Sequence, residues 1–133
     1  MPVEGTSNVA AKLLLIAVAG GMGSLARYGL SGLVLRLCGT GFPWGTAAVN
    51  VVGSFLFGVV WSATEHRLGL AAETRIIVLT GFMGAFTTFS TFMFETGQLM
   101  ADKEWLLAFG NIAGQILVGL VFLFLGLAVG RLI

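Results

Sequence analysis

Residues 81–92 read GFMGAFTTFSTF. The stretch lies in the middle of the third of four apolar runs that are long enough to cross a membrane. Its glycines, hydroxyl groups and aromatic rings make a poor continuous helix for contact with lipid. Irregular backbone is tolerated at membrane depth only where protein or water satisfies it. The stretch therefore predicts an interrupted third helix, and we expect the functional site there.

The composition predicts an integral membrane protein. The chain has 133 residues, of which 57% are hydrophobic and 10% are charged, whereas a soluble domain carries about a quarter charged residues. With a net charge of +1 and no basic cluster, a nucleic-acid partner is not expected. No nucleophile–base pair or metal cluster is visible, so we do not expect an enzyme. The single cysteine, Cys38, cannot form a disulfide within the chain.

Four helical spans follow from the apolar runs. A spanning helix needs about 20 mostly apolar residues, and the predicted spans cover about 11–37, 45–63, 75–100 and 105–131. Turn residues Gly41 and Pro43 separate the first two spans. No linker or second domain is visible, so residues 1–133 are predicted to form one all-α membrane domain of four helices. Small-residue pairs in the fourth span, Gly110/Gly114 and Gly126/Gly130, predict close helix approach.

Basic residues indicate only a weak preference for one orientation. Four basic residues lie on one predicted side of the membrane and two on the other side: Lys12, Arg67, Arg75 and Arg131 against Arg36 and Lys103. A four-helix chain of this size is also too thin to enclose a pore alone. Both points favour an oligomer, and the weak bias permits oppositely oriented copies. A parallel assembly with a single orientation stays open.

Polar side chains inside the spans are costly in lipid, so each is a functional candidate. Most of them are hydrogen-bond donors, no Asp or His is among them, and Glu95 is the only carboxylate. Donors suit an anion better than a cation. The set comprises Arg27, Asn50, Ser54, the Thr and Ser residues between Thr80 and Thr91, Glu95, Asn111 and Gln115.

Each candidate also has a structural interpretation. Arg27 can draw anions toward a vestibule, or it can reach the membrane interface or pair with Glu95. Asn50 can face an ion path or bond to another helix. Asn111 and Gln115 share one helix face at i, i+4, and they form either a polar track or helix-to-helix hydrogen bonds.

Phe89 and Phe92 flank the predicted break. Ring edges are electropositive, so two of them would attract an anion although neither ring carries a fixed charge. They would also hold the anion weakly enough for its release. Lipid-facing or core packing is the other interpretation. The break also frees backbone carbonyls, which can coordinate sodium if two copies meet there. Capping of the break by Thr hydroxyls is the alternative.

Three motifs resemble the Fluc (CrcB-type) fluoride ion channels of bacteria. They are GGxGxxxRY from Gly20 to Tyr28, PWGTxxVNxxGSF from Pro43 to Phe55, and GFxGxFTTFSTFxxE from Gly81 to Glu95. The resemblance covers nearly the whole chain. It implies an antiparallel, dual-topology homodimer in the bacterial inner membrane, with two pores and a central structural sodium ion. It also implies passive, selective export of fluoride.

The resemblance also implies roles for single residues. Asn50, Phe89, Ser90, Thr91 and Phe92 would line the ion path, Arg27 would lie at the vestibule, and Glu95 would match the glutamate that follows the phenylalanines. The backbone carbonyls of Gly84 and Thr87 would hold the sodium. The family carries tyrosine or serine on the fourth helix, whereas this chain has Asn111 and Gln115, and Gly119 lacks a side chain there.

Two rival functions differ in what they require. A small four-helix drug or cation exporter would need a membrane carboxylate, and the first span has none. A non-transporting assembly protein would pack through its small residues. Such a protein would have no use for Asn50, Asn111 and Gln115 in lipid.

Overall fold

The computed structural model describes residues 4–66 and 72–133. Arg67 and part of the predicted connection between the second and third spans lie outside the described residues. The helices are α1 (Glu4–Cys38), α2 (Trp44–His66), α3 (Ala72–Ile76), α4 (Gly84–Phe86), α5 (Phe89–Ala101) and α6 (Trp105–Leu132), with a π-helical segment (Ile77–Met83) between α3 and α4.

Within the described ranges, four helical stretches are long and apolar enough to cross a membrane. They are α1, α2, the composite third span from α3 to α5, and α6. The predicted all-α architecture with four spans is therefore confirmed, and the chain is a multi-pass membrane protein.

Tight turns join the first span to the second and the third span to the fourth. α1 ends at Cys38 and is followed by Gly39, whose φ of 83° is the left-handed conformation of a helix-terminating glycine and whose N–H donates to the Leu35 carbonyl at 2.9 Å. α5 and α6 are joined by a turn in which Lys103 has a φ of 61° and the Glu104 N–H donates to the Leu99 carbonyl at 2.8 Å. Such short connections place neighbouring helices side by side.

α2 and α6 form the most extensive helix pair in the chain. Glycines let their backbones touch: a Cβ added to Gly126 would contact the Phe55 carbonyl, and one added to Gly130 would lie 2.6 Å from the Val59 carbonyl. This close approach was predicted from the Gly126/Gly130 pair. The Gly110/Gly114 pair differs, since an added Cβ would meet nothing within 4 Å at either position.

The π-helical segment packs against α1 on one side and the small apolar core on the other. A Cβ added to Gly81 would lie 2.9 Å from the Ala19 side chain, so α1 approaches this segment closely. Leu79 and Met83 of the segment join Val49 and Phe86 in the buried core. The core therefore packs around the segment of chain that immediately precedes Thr87 and Thr88, the two residues that follow α4.

Candidate functional site

The third span is interrupted at Thr87 and Thr88. Both residues are extended, with φ and ψ of −85° and 160° at Thr87 and −148° and 117° at Thr88. The Thr88 hydroxyl caps α5 by accepting a hydrogen bond from the Thr91 N–H at 3.2 Å. The predicted interruption is confirmed, and a threonine hydroxyl provides part of its capping.

Asn50 of α2 binds the interrupted backbone with both ends of its amide. Its Oδ1 accepts from the Thr88 N–H at 2.8 Å, and its Nδ2 donates to the Thr88 carbonyl at 3.0 Å. The same Nδ2 also donates to Gln115 Oε1 at 2.7 Å. An amide nitrogen carries two hydrogens, so both of those on Asn50 are engaged.

Gln115 continues a chain of hydrogen bonds along α6. Its Nε2 donates to Asn111 Oδ1 at 2.8 Å, and Asn111 Nδ2 donates to Thr96 Oγ1 at 2.9 Å. The Thr96 hydroxyl donates to the Phe92 carbonyl at 2.7 Å. We call the side chains of Asn50, Gln115, Asn111 and Thr96 the amide ladder. The predicted shared face of Asn111 and Gln115 points into the chain, where both are buried.

Two open pockets flank the break. The arginine pocket, about 480 Å³, is lined by Arg27, Ser24 and Ser31 of α1 together with Thr46, Thr88 and Thr91. The phenylalanine pocket, about 390 Å³, is lined by Asn50, Ser54, Phe57, Thr87, Thr88 and Phe89. Thr88 lines both pockets, so the interrupted backbone separates them.

Phe89 and Phe92 lie edge to face, with ring centroids 6.0 Å apart and an interplanar angle of 68°. Phe89 is 73% exposed in the phenylalanine pocket, whereas Phe92 is buried. Ser90 is exposed, and Thr91 Oγ1 accepts from the Thr88 hydroxyl at 2.9 Å. One chain therefore leaves Phe89 and Ser90 uncovered at the break.

Glu95 is held by Thr46 and not by Arg27. Thr46 Oγ1 donates to Glu95 Oε1 at 2.9 Å, while Oε2 is buried and has no hydrogen-bond partner. The alternative in which Arg27 pairs with Glu95 is therefore wrong. The guanidinium instead lines the arginine pocket, whose wall also includes Thr46.

The break leaves the Gly84 and Thr87 backbone carbonyls without their helical donors. In a continuous α-helix the Gly84 carbonyl would accept from the Thr88 N–H, and the Thr87 carbonyl from the Thr91 N–H. Here those N–H groups donate to Asn50 Oδ1 and Thr88 Oγ1. Carbonyl oxygens suit a hard cation such as sodium. The described residues hold no cluster of three or more His, Cys, Asp or Glu side chains.

Sequence reasoning missed Thr46, Thr88 and Thr96 as individual site residues. Thr46 precedes Asn50 by one helical turn, as Ser54 follows it, and this i, i+4 spacing placed all three on one face of α2. Thr96 follows Thr88 by about two turns. Its signal is weaker because a threonine in a membrane helix usually bonds to its own backbone.

The family profile described as "CrcB-like protein, Camphor Resistance (CrcB)" matches residues 14–127. The chain belongs to the CrcB family. The resemblance inferred from the three motifs is thereby confirmed, and the match spans every helix that contributes to the break and the amide ladder.

Curated relatives in this CrcB family carry the name "Fluoride-specific ion channel FluC". Those of Nitrosococcus oceani and Solidesulfovibrio magneticus are each 57% identical over 122 residues, which is 92% of this chain and 98% of each relative. The relative of Magnetococcus marinus is 44% identical over 118 residues, or 89% of this chain and 96% of its own length. These relatives are named as ion channels, and on that ground the prediction of a non-enzymatic protein is confirmed.

Proposed function

We propose that the chain is a passive, fluoride-selective ion channel that exports fluoride across the bacterial inner membrane. The observation that carries the proposal is the interrupted third span at Thr87 and Thr88, which has hydrogen-bond donors on one side and an uncovered aromatic ring on the other. The names of the relatives support fluoride as the ion.

The proposed ion path begins at the arginine pocket. Arg27 supplies a positive charge there, and the hydroxyls of Thr46 and Thr91 continue the donor-rich wall. A partly enclosed pocket lined by donors raises the local anion concentration. The half-buried Glu95 side chain lies beside this route through its bond to Thr46.

Beyond the break, the proposed path follows the exposed donors and aromatic edges of α5. Ser90 and Phe89 are uncovered, and Phe92 supports the Phe89 ring. Asn50 of α2 supplies the polar wall that lines this pocket, and the buried Gln115 and Asn111 of α6 form the layer behind it. Because ring edges carry only partial positive charge, they would bind the anion weakly enough for it to leave.

The proposed active unit is an antiparallel homodimer with dual topology, in which each chain forms a single membrane domain. The open pockets and the exposed Phe89 support a second copy, since one chain does not enclose a path. Two-fold pairing would place two pores in one dimer. Basic residues are only slightly more numerous on one predicted side of the membrane than on the other, and this small difference permits both orientations.

A structural sodium ion between the two copies completes the proposal. The Gly84 and Thr87 carbonyls have lost their helical donors, and Gly84 lies at the exposed surface of the chain. Two copies would present four such oxygens. When bound, sodium would neutralise these carbonyl dipoles and hold the two breaks in register.

A small drug or cation exporter is the alternative function. It is less well supported, because Glu95 is the only carboxylate within the predicted spans and it is bonded to Thr46. Exchange of a cation requires an accessible carboxylate.

Efflux from liposomes tests the proposed function. Purified protein in liposomes loaded with potassium fluoride or potassium chloride, with sodium present on both sides, should release fluoride within seconds of ionophore addition and retain chloride. Ion-selective electrodes measure both anions. Equal release of the two would refute selectivity, and full release with sodium replaced by a large organic cation would refute the sodium ion.

A further inference from the structure

The hydrogen bonds that link the side chains of the amide ladder run in one direction, and Asn50 also donates to the Thr88 carbonyl with its other Nδ2 hydrogen. The Thr88 N–H donates to Asn50, Asn50 donates to Gln115, and Gln115 donates to Asn111. Asn111 donates to Thr96, which donates to the Phe92 carbonyl. The chain thus starts at the break and ends on a backbone carbonyl of α5, which cannot act as a donor.

This fixed end determines the orientation of every amide in the ladder. Because the Phe92 carbonyl only accepts, the Thr96 hydroxyl must accept from Asn111 with its lone pair, and Asn111 must then present Oδ1 to Gln115. Gln115 consequently presents Oε1 to Asn50. That leaves Asn50 Oδ1 facing the Thr88 N–H, which is the geometry that diverts this N–H from the Gly84 carbonyl.

We propose that Gln115 is a positioning residue, which fixes the Asn50 amide and thereby keeps the third span open at Thr88. This role does not require the Gln115 side chain to touch the ion. It is separate from the place of Gln115 behind the proposed polar wall. The inference rests on the proposed channel function for its consequence on flux, but its structural part can be tested separately.

The α6 side chains of the amide ladder are buried, so a lost hydrogen bond there is costly. Asn111 is 0% exposed and Gln115 is 9% exposed. At membrane depth no bulk water replaces a lost partner, so removing Gln115 would leave Asn50 Nδ2 and Asn111 Oδ1 each short of one hydrogen bond. Asn50 would then keep only its two bonds to Thr88, so its amide would detach more often and leave the Thr88 N–H without an acceptor while it is detached.

Hydrogen exchange at the break tests the proposal. In Gln115→Met, which conserves side-chain length without polar atoms, amide exchange in peptides covering residues 84–91 should be about three- to tenfold faster than in the unmodified protein, as expected for the loss of two membrane hydrogen bonds. Exchange at the far end of α6, residues 122–132, should not change. Mass spectrometry of the protein in lipid nanodiscs provides both rates.

Two further variants separate positioning from general damage. Gln98→Met makes the same chemical change at an exposed position of α5 outside the ladder and should leave exchange at 84–91 unaltered. Gln115→Glu keeps an oxygen acceptor for Asn50 and should restore part of the protection. Wild-type protection at 84–91 in folded Gln115→Met would overturn the proposal. If that variant is not recovered folded, the shorter Gln115→Asn is compared in its place, and wild-type protection there would overturn it equally.

Fluoride efflux measured on the same preparations distinguishes this proposal from the proposed function. Gln115→Met should conduct fluoride about tenfold more slowly than Gln98→Met, which should match the unmodified protein. If the unmodified protein conducts no fluoride, the channel function fails, while the exchange rates still decide the role of Gln115. Fast exchange at 84–91 combined with unchanged flux would show that the break does not control conduction.

Discussion

Thr88 connects more parts of the site than any other residue described here. Its backbone bonds to Asn50 through both the N–H and the carbonyl, and its hydroxyl bonds to Thr91. It also lines both the arginine pocket and the phenylalanine pocket. A residue placed in this way sets the distance between the donor-rich side and the aromatic side of the proposed path.

Replacement of Phe89 tests the aromatic side of the path. Phe89→Ile should slow fluoride efflux about tenfold, the factor that corresponds to losing a ring-edge contact of about 1.4 kcal/mol. Because Phe89 is 73% exposed, the thermal unfolding midpoint in detergent should hardly change. Efflux from liposomes and a thermal melt give the two readings.

Phe94 provides the matched control, since it lies in the same helix and is 67% exposed. Phe94→Ile should conduct at the rate of the unmodified protein. Equal flux in both variants and the unmodified protein would place the Phe89 ring outside the path.

Single residues could be predicted from the sequence better than the bonds they make. The cost of polar groups in lipid identified Asn50, Asn111 and Gln115, and helical spacing put the last two on one face. The direction of the amide ladder could not be predicted, because it depends on Thr96 and on a backbone carbonyl that become neighbours of α6 only after α5 and α6 pack.

At the scale of elements, the third span departs most from a regular helix. The sequence predicted the break, since glycines and hydroxyls replace aliphatic residues there. It did not predict the π-helical segment at Ile77–Met83, whose residues are mostly apolar and equally suited to an α-helix. That segment depends on tertiary contacts with α1, and π-helical turns are frequent next to functional sites.

The α2–α6 contact gives a prediction about stability. Gly126→Ala should destabilise the folded chain by about 1–3 kcal/mol, because the added Cβ would contact backbone atoms of Phe55 and Val59, which cannot rotate away. Gly110→Ala in the same helix should be neutral or slightly stabilising, since its Cβ would meet nothing within 4 Å. Unfolding in mixed micelles measures both, and equal destabilisation would argue against the observed α2–α6 approach.

At the scale of the whole molecule, the proposed site depends on a second copy. The arginine and phenylalanine pockets are open, and the outward-facing Gly110/Gly114 pair leaves part of α6 uncovered. Assembly and orientation could not be derived from the sequence alone, because the six basic residues in the loops and near the ends of the spans divide with only a small bias between the two sides.

The single cysteine offers a direct test of orientation. Cys38 ends α1 and is exposed, so a thiol reagent that cannot cross membranes should label about half of the chains in intact cells if both orientations are equally populated. The remainder should react only after the membrane is permeabilised. Labelling of all chains or of none before permeabilisation would contradict dual topology, and a Cys38→Ser variant controls for background.

The length of α1 has a consequence for the lipid around the protein. At 1.5 Å per residue its 35 residues rise ~52 Å, whereas the hydrocarbon layer is about 30 Å thick. Lys12 and Arg36 lie ~36 Å apart along this helix, so their ammonium and guanidinium groups can rest among the phosphates of opposite leaflets while α1 stands nearly upright. A thinner bilayer would force α1 to lean, and the arginine pocket, which α1 lines, would change shape with it.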